Sequence, residues 1–188
     1  MTVDLWATMR TPISLEELVT GARDTMGRLL GIDDPPAVHV FADPQWGDAG
    51  LVYAGRRLDS AEQHSLTVAE HDRDAPAELP SRRWFRFATS AEGGAVAVAF
   101  DHVEPSFSPE RTCAGVVVAT ALALTAAERG GGEFVDINIF MLQPPEPSPQ
   151  RVVELTRLPD RGPDFGPRCE RYLRQFAGLD GWPPAVLT

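Results

Sequence analysis

Two short stretches of this chain set histidine beside carboxylates: Glu70-His71-Asp72 within a charged run ending at Asp74, and Asp101-His102-Val103-Glu104. Imidazole titrates near neutrality, and a neighbouring carboxylate orients it and favours its charged form. Either stretch therefore has the parts for acid–base chemistry, or for a metal if further ligands converge. The first also reads as an ordinary solvated loop. The second stands at a strand end, just ahead of the helix start expected at Ser108-Pro109, where the amides of a first turn attract anions. Glu70, His71, Asp101 and His102 are thus the candidate active site of an enzymatic reading. The bland alternative is a charged loop for the first pair and a turn for the second.

Other chemistry is absent from the sequence. There is no HExxH, GxSxG or GxGxxG, and the four histidines, at 39, 64, 71 and 102, have no ligand spacing on an expected helix. Cys113 and Cys169 form no CxxC and suggest neither a disulfide framework nor a zinc site; Cys113 falls in an apolar run and reads as a small core residue. No metal and no cofactor is expected. Gly130-Gly131-Gly132 follows a helix instead of preceding one, so it is a C-cap and not a phosphate loop. Asp136 and Asn138 alternate with Val135 and Ile137 and read as exposed polar positions on a one-sided sheet.

All 17 basic residues are arginine. Without lysine there is no Schiff-base chemistry, no phosphate-gripping P-loop lysine and no Ser–Lys dyad. A net charge of −10 disfavours nucleic acid as a partner. The charge is unevenly spread: ten acids and three arginines lie between Asp33 and Glu78, which accounts for −7 of the total. An acidic segment carrying aromatics can steer and anchor a basic protein. Asp43, Trp46, Asp48, Tyr53, Asp72, Asp74 and Trp84 are the candidate partner-binding residues. Solubility alone is the competing explanation of the charge.

These groups must be positioned by a chain of 188 residues, 43% hydrophobic and 23% charged, enough for one core without covalent staples. Val3 to Met9 alternates as a strand. Ser14 and Glu17 form a capping box before a helix over about 15–30, whose apolar stripe ends at Gly31. Strands are expected over 37–42, 51–54, 65–70, 82–89, 95–101 and 133–140, with a second long helix from Ser108 to about Arg129 that is apolar nearly all round. Nine of the 17 prolines fall between Pro144 and Pro184. That region reads as an arm with helices near 150–155 and 167–177, anchored by Cys169, Tyr172, Leu173 and Phe176.

The expected fold is α+β: a mostly antiparallel sheet covered on one face by two long helices, as a core over residues 1–142, with the Pro-rich helical arm of 143–188 packed on it. The N-terminus has no signal-peptide pattern, and the longest apolar run, Ala114 to Ala127, is too short to cross a bilayer, so the chain is expected in the cytoplasm, off the membrane. Three functions compete. The first is an acidic, non-enzymatic module that neutralises a basic partner, as bacterial immunity proteins and antitoxins do. The second is a small-molecule enzyme centred on Asp101-His102. The third is a structural subunit that pairs with its own copy, as a homodimer, through a sheet edge.

Overall fold

The structure, a computed structural model, describes residues 3–42, 45–47, 50–53, 55–68, 83–90, 95–100, 104–179 and 182–183. In chain order the elements are β1 (Leu5–Ala7), β2 (Ile13–Ser14), α1 (Leu15–Leu30), β3 (Val38–Ala42), β4 (Gln45–Gly47), β5 (Gly50–Tyr53), β6 (Arg56–Arg57), α2 (Ser60–Ser65) and β7 (Thr67–Val68). They continue as β8 (Arg83–Thr89), β9 (Ala95–Phe100), β10 (Ser106–Pro109), α3 (Cys113–Arg129), β11 (Phe134–Asp136), α4 (Pro149–Thr156) and α5 (Phe165–Arg174). Seven strands form one sheet in the order β11-β1-β10-β9-β8-β3-β6, and every pairing in it is antiparallel. Helices α1 and α3 pack together against one face of the sheet, and α4 and α5 pack on the far side of those helices. The fold is α+β, as the sequence predicts.

The layering explains α3. Residues Ala114 to Ala127 are all buried because this helix is the middle layer, with the sheet on one side and α4 and α5 on the other. Its threonines are satisfied inside: Thr125 Oγ1 lies 3.1 Å from Thr25 Oγ1 of α1, and Thr120 Oγ1 donates to the Val116 carbonyl at 2.8 Å. Helix α1 starts on the expected capping box. Ser14 Oγ accepts from the Glu17 amide, and the Glu17 carboxylate accepts from the Ser14 amide at 2.8 Å. It ends at Gly31, whose φ of 64° is the left-handed cap conformation that glycine adopts freely.

Several boundaries differ from the expectation. Ser108 is no helix cap. It lies in β10, paired with Ala97, and the chain turns through 110–111 before Thr112 caps α3 by accepting from the Gly115 amide at 2.9 Å. Cys113 is accordingly the first residue of α3 and half-buried, while Cys169 is fully buried. Of the strand expected over 65–70, Ser65 ends α2, which carries its own capping box between Asp59 and Glu62, Thr67–Val68 is strand, and residues 69–70 lie outside the described residues. The last strand stops at Asp136. The Asp136 carboxylate is not a free surface group: it accepts from the amides of Asn138, Ile139 and Met141 at 3.2, 2.7 and 2.7 Å, turning the chain out of the sheet.

The proline-rich segment is bonded to α1 at the point where a helix has carbonyls to spare. Leu158 donates its amide to the Leu29 carbonyl at 2.8 Å, Gly162 donates to Gly31 at 3.1 Å, and the buried Arg168 donates Nε to the Leu30 carbonyl. Arg168 Nη2 also donates to the Asp160 carbonyl, which closes the loop on itself. A Cβ at position 31 would collide with that same carbonyl, so the latch requires glycine there twice over.

Candidate functional site: the helix-free face of the sheet

Asp43, Asp48, Glu70, His71, Asp72, Asp74, Asp101 and His102 lie outside the described residues. Trp46, Tyr53 and Trp84 are placed as backbone positions of β4, β5 and β8. None of the sequence-predicted groupings is therefore assembled by the described residues. The acids of the 33–78 segment that are described have local partners. Asp33 pairs with Arg161 at 2.6 Å, Asp34 with Arg23, and Glu62 with Arg56 at 2.6 Å, while Asp59 caps α2. The Arg56 bond, with help from the Asp59 amide, pulls the Glu62 pKa down to about 2. Asp33 and Asp34 follow the C-terminal end of α1, whereas α2 sits at its start, where His64 meets Glu16 at 2.8 Å. A 16-residue helix is about 24 Å long, more than two Debye lengths at physiological salt. These acids form no single field.

A cleft of about 1150 Å³ lies between α1 and the arm. It is lined by the Asp33–Arg161 and Asp34–Arg23 pairs together with Asp160, which holds Arg171 at 2.7 Å. Arg171 beside it, more than any other neighbour, holds the Asp160 carboxyl below its usual range. The cleft's charges are thus largely consumed by the latch, and it reads as a joint rather than a binding site. Among the described residues no group of three metal-ligating side chains converges.

The remaining surface of interest is the sheet face opposite the helices. Along the first strand, Val3, Leu5, Ala7 and Met9 are buried under α3 and its neighbours, while Trp6 is 37% exposed. Trp6 is flanked directly by Val135 on β11 and Ser106 on β10. The ladder continues beyond the strands, since Ala7 donates to the Pro105 carbonyl at 3.2 Å and Thr8 to the Glu133 carbonyl at 2.9 Å. By the two-residue period of strands, Asp4, Trp6 and Thr8, Glu104, Ser106 and Ser108, and Glu133 and Val135 share this face. Ile137, 56% exposed, follows Val135. Asp4 accepts from Ser108 Oγ at 2.6 Å. None of Asp4, Glu104 and Glu133 has an ion-pair partner among the described residues.

Further along the same face the cations are committed. Arg86 lies across from Phe41 with its guanidinium carbon 5.5 Å from the ring centre, and Nη2 is 3.7 Å from Glu110. Burial pushes the Glu110 carboxyl above its ordinary range, against the pull of Arg86. Arg86 Nε is buried and has no hydrogen-bond partner among the described residues. Arg57, on β6, donates to His39 Nδ1 at 2.7 Å, which fixes that imidazole as neutral; burial, then the Arg57 charge, lowers its pKa. Ser108 with Asp4 makes no hydrolytic triad with His39, because β10 and β3 are three strand spacings apart, about 14 Å.

Sequence reasoning passes over Trp6, Glu104, Glu133 and Val135 as site residues. The signal is present all the same. In the alternation of Val3 to Arg10, one phase reads Val3, Leu5, Ala7, Met9 and the other Asp4, Trp6, Thr8, Arg10, so the tryptophan stands in the polar phase. No protein-family model, curated protein or solved structure matches this chain.

Proposed function

We propose that this chain is a cytoplasmic, non-enzymatic protein-binding module that docks a basic partner on the helix-free face of its sheet and so neutralises it, in the manner of immunity proteins and antitoxins. The observation that carries the reading is the exposed Trp6 among carboxylates that have no ion-pair partner among the described residues, on a face that the described helices leave uncovered. Large exposed aromatics on a rimmed surface are the usual anchors of protein interfaces. The net charge of −10 supports a partner of opposite sign. It acts with the face, since the described part of the acidic segment is tied up in local pairs. No helix of the described residues is long and apolar enough to cross a membrane.

Pairing of copies through a sheet edge has less support. One edge is β6, two exposed arginines long. The other is β11, three residues long, whose Phe134 amide is already taken by the Pro147 carbonyl at 2.9 Å. Short, charged and covered edges resist strand addition.

The test is affinity capture from an extract of the native host with the wild type and Trp6→Ser side by side. A stoichiometric basic protein held by the wild type and lost by the variant supports the reading. A copurified metabolite would favour the enzyme instead, and a lone symmetric oligomer the structural subunit.

A further inference from the structure

We propose that the Trp6 patch is a receptor for a cationic side chain, an arginine presented on an extended segment of the partner; this rests on the docking-face reading and specifies its chemistry. Trp6 occupies the middle position of β1, with Val135 directly beside it on β11 and Ser106 beside it on β10. Cross-strand neighbours lie about 4.5–5.5 Å apart and diagonal ones about 7–8 Å. The diagonal positions at one end are Glu133 and Glu104, which flank Thr8, and Asp4 lies two residues away along the strand at the other end. The indole face is thus framed by three carboxylates, an apolar flank of Val135 and Ile137, and a hydroxyl flank of Ser106 and Ser108.

Each part matches one part of an arginine. The guanidinium stacks on indole, the best of the aromatic faces for a cation. Its remaining donors reach carboxylates placed around the ring, and the fork geometry suits a carboxylate better than an ammonium does. The aliphatic stem lies along Val135 and Ile137. An anionic or purely apolar occupant would leave Glu104 and Glu133 facing it without compensation among the described residues, and Asp4 with only the Ser108 hydroxyl. Arg86, on the same face three strands away, is held by Glu110 and Phe41 and does not fill the site from within.

The probe is a short acetylated peptide with arginine at every second position, compared with a twin carrying neutral citrulline there. The readout is the Trp6 indole signal and the amides of Ser106, Glu133 and Val135 in a two-dimensional nitrogen–proton spectrum of the full chain. The expected result is saturable shifts of this set by the arginine peptide only. Trp6→Leu should weaken binding about three- to ten-fold, and Glu104→Gln with Glu133→Gln should weaken it and flatten its salt dependence. Trp6 is exposed and both glutamates lie outside the core, so the variants are expected to fold, and the double glutamine variant retains the test if Trp6→Leu does not.

Equal shifts of the Trp6 set by both peptides would overturn the cation chemistry while leaving the docking face standing. Arginine-dependent shifts located elsewhere, or none, would overturn the site. Trp6 signals that move on dilution without peptide would identify a second copy as the occupant and overturn it as well. Failure of the docking reading itself shows separately, as retention of the captured host partner by Trp6→Ser.

Discussion

Arg168→Met tests whether the proline-rich arm is part of the folded unit or an ornament on it. The substitution keeps most of the apolar stem and removes a guanidinium that is buried, with its side chain 9% exposed. Two backbone carbonyls lose a charged donor, Leu30 at the negative end of α1 and Asp160 in the latch loop. Hydrogen bonds from a charged group contribute roughly 1.5–3 kcal/mol each, and a cation at a helix C-terminus adds about 0.3–1 kcal/mol. Relief of the arginine's own desolvation returns part of this. The net expected loss is about 2–4 kcal/mol, which for a chain of this size is roughly 5–15 °C in Tm. Arg161→Ala is the internal control. Its pair with Asp33 is short, at 2.6 Å, but 79% and 82% exposed, so its removal should leave the midpoint nearly unmoved. Thermal and urea unfolding followed by far-ultraviolet circular dichroism reads both. An Arg168→Met variant that unfolds with the wild type, or no earlier than the Arg161→Ala variant, would refute the claim that the arm clasps the end of α1.

Other expectations follow from single contacts. Ser14→Ala and Thr112→Ala should each cost about 0.5–2 kcal/mol in urea unfolding as lost N-caps, whereas Ser108→Ala should leave α3 intact and act only through Asp4; equal helix loss on Ser108→Ala would contradict the α3 boundary. Burial raises the pKa of both thiols, so at pH 8 a thiol reagent should label Cys113 slowly and Cys169 only after unfolding; rapid labelling of Cys169 in the native protein would mean its layer opens. Hydrogen bonds from Ser14 lower the Glu17 pKa, and burial, then Arg57, lowers that of His39. Groups with depressed folded pKa values contribute stability above their unfolded values and lose it as pH falls. Stability should therefore decline first below about pH 6.5 and again below about 4.5, and His39→Gln should remove the first step. A first step unchanged in the variant would dissociate it from His39.

Much of the fold is legible from local chemistry. Ser14-x-x-Glu17 announces α1, Gly31 ends it, and the apolar circumference of α3 signals a helix buried on several sides, as its middle-layer position explains. The same box at Asp59-x-x-Glu62 announces α2, but the apolar alternation of Leu66 and Val68 competes with it. Ser108-Pro109 looks like a helix start because Ser-Pro favours both an N-cap and a strand end, and only the pairing of Pro109 with Val96 decides between them. Asp136 illustrates the limit on the site side: its carboxylate serves three amides that follow it in sequence, a local turn that alternation reads as exposed strand. The described acids of the 33–78 segment show what a linear count leaves out. A count along the chain pools these charges, while the fold carries Asp33 and Asp34 to one end of α1 and Asp59 and Glu62 to the other.

The docking face is tested most directly by photo-crosslinking in the native host from two exposed apolar positions in different layers. Ile137 is 56% exposed beside the Trp6 patch, and Leu155 is 52% exposed on α4 in the outermost helical layer. A photoreactive phenylalanine analogue at each position presents the same chemistry on either side of the molecule. The account predicts one discrete adduct with a basic protein from position 137, abolished by Glu104→Gln with Glu133→Gln, and none from position 155. An adduct from position 155 alone, or one from position 137 that survives the loss of both carboxylates, would contradict it.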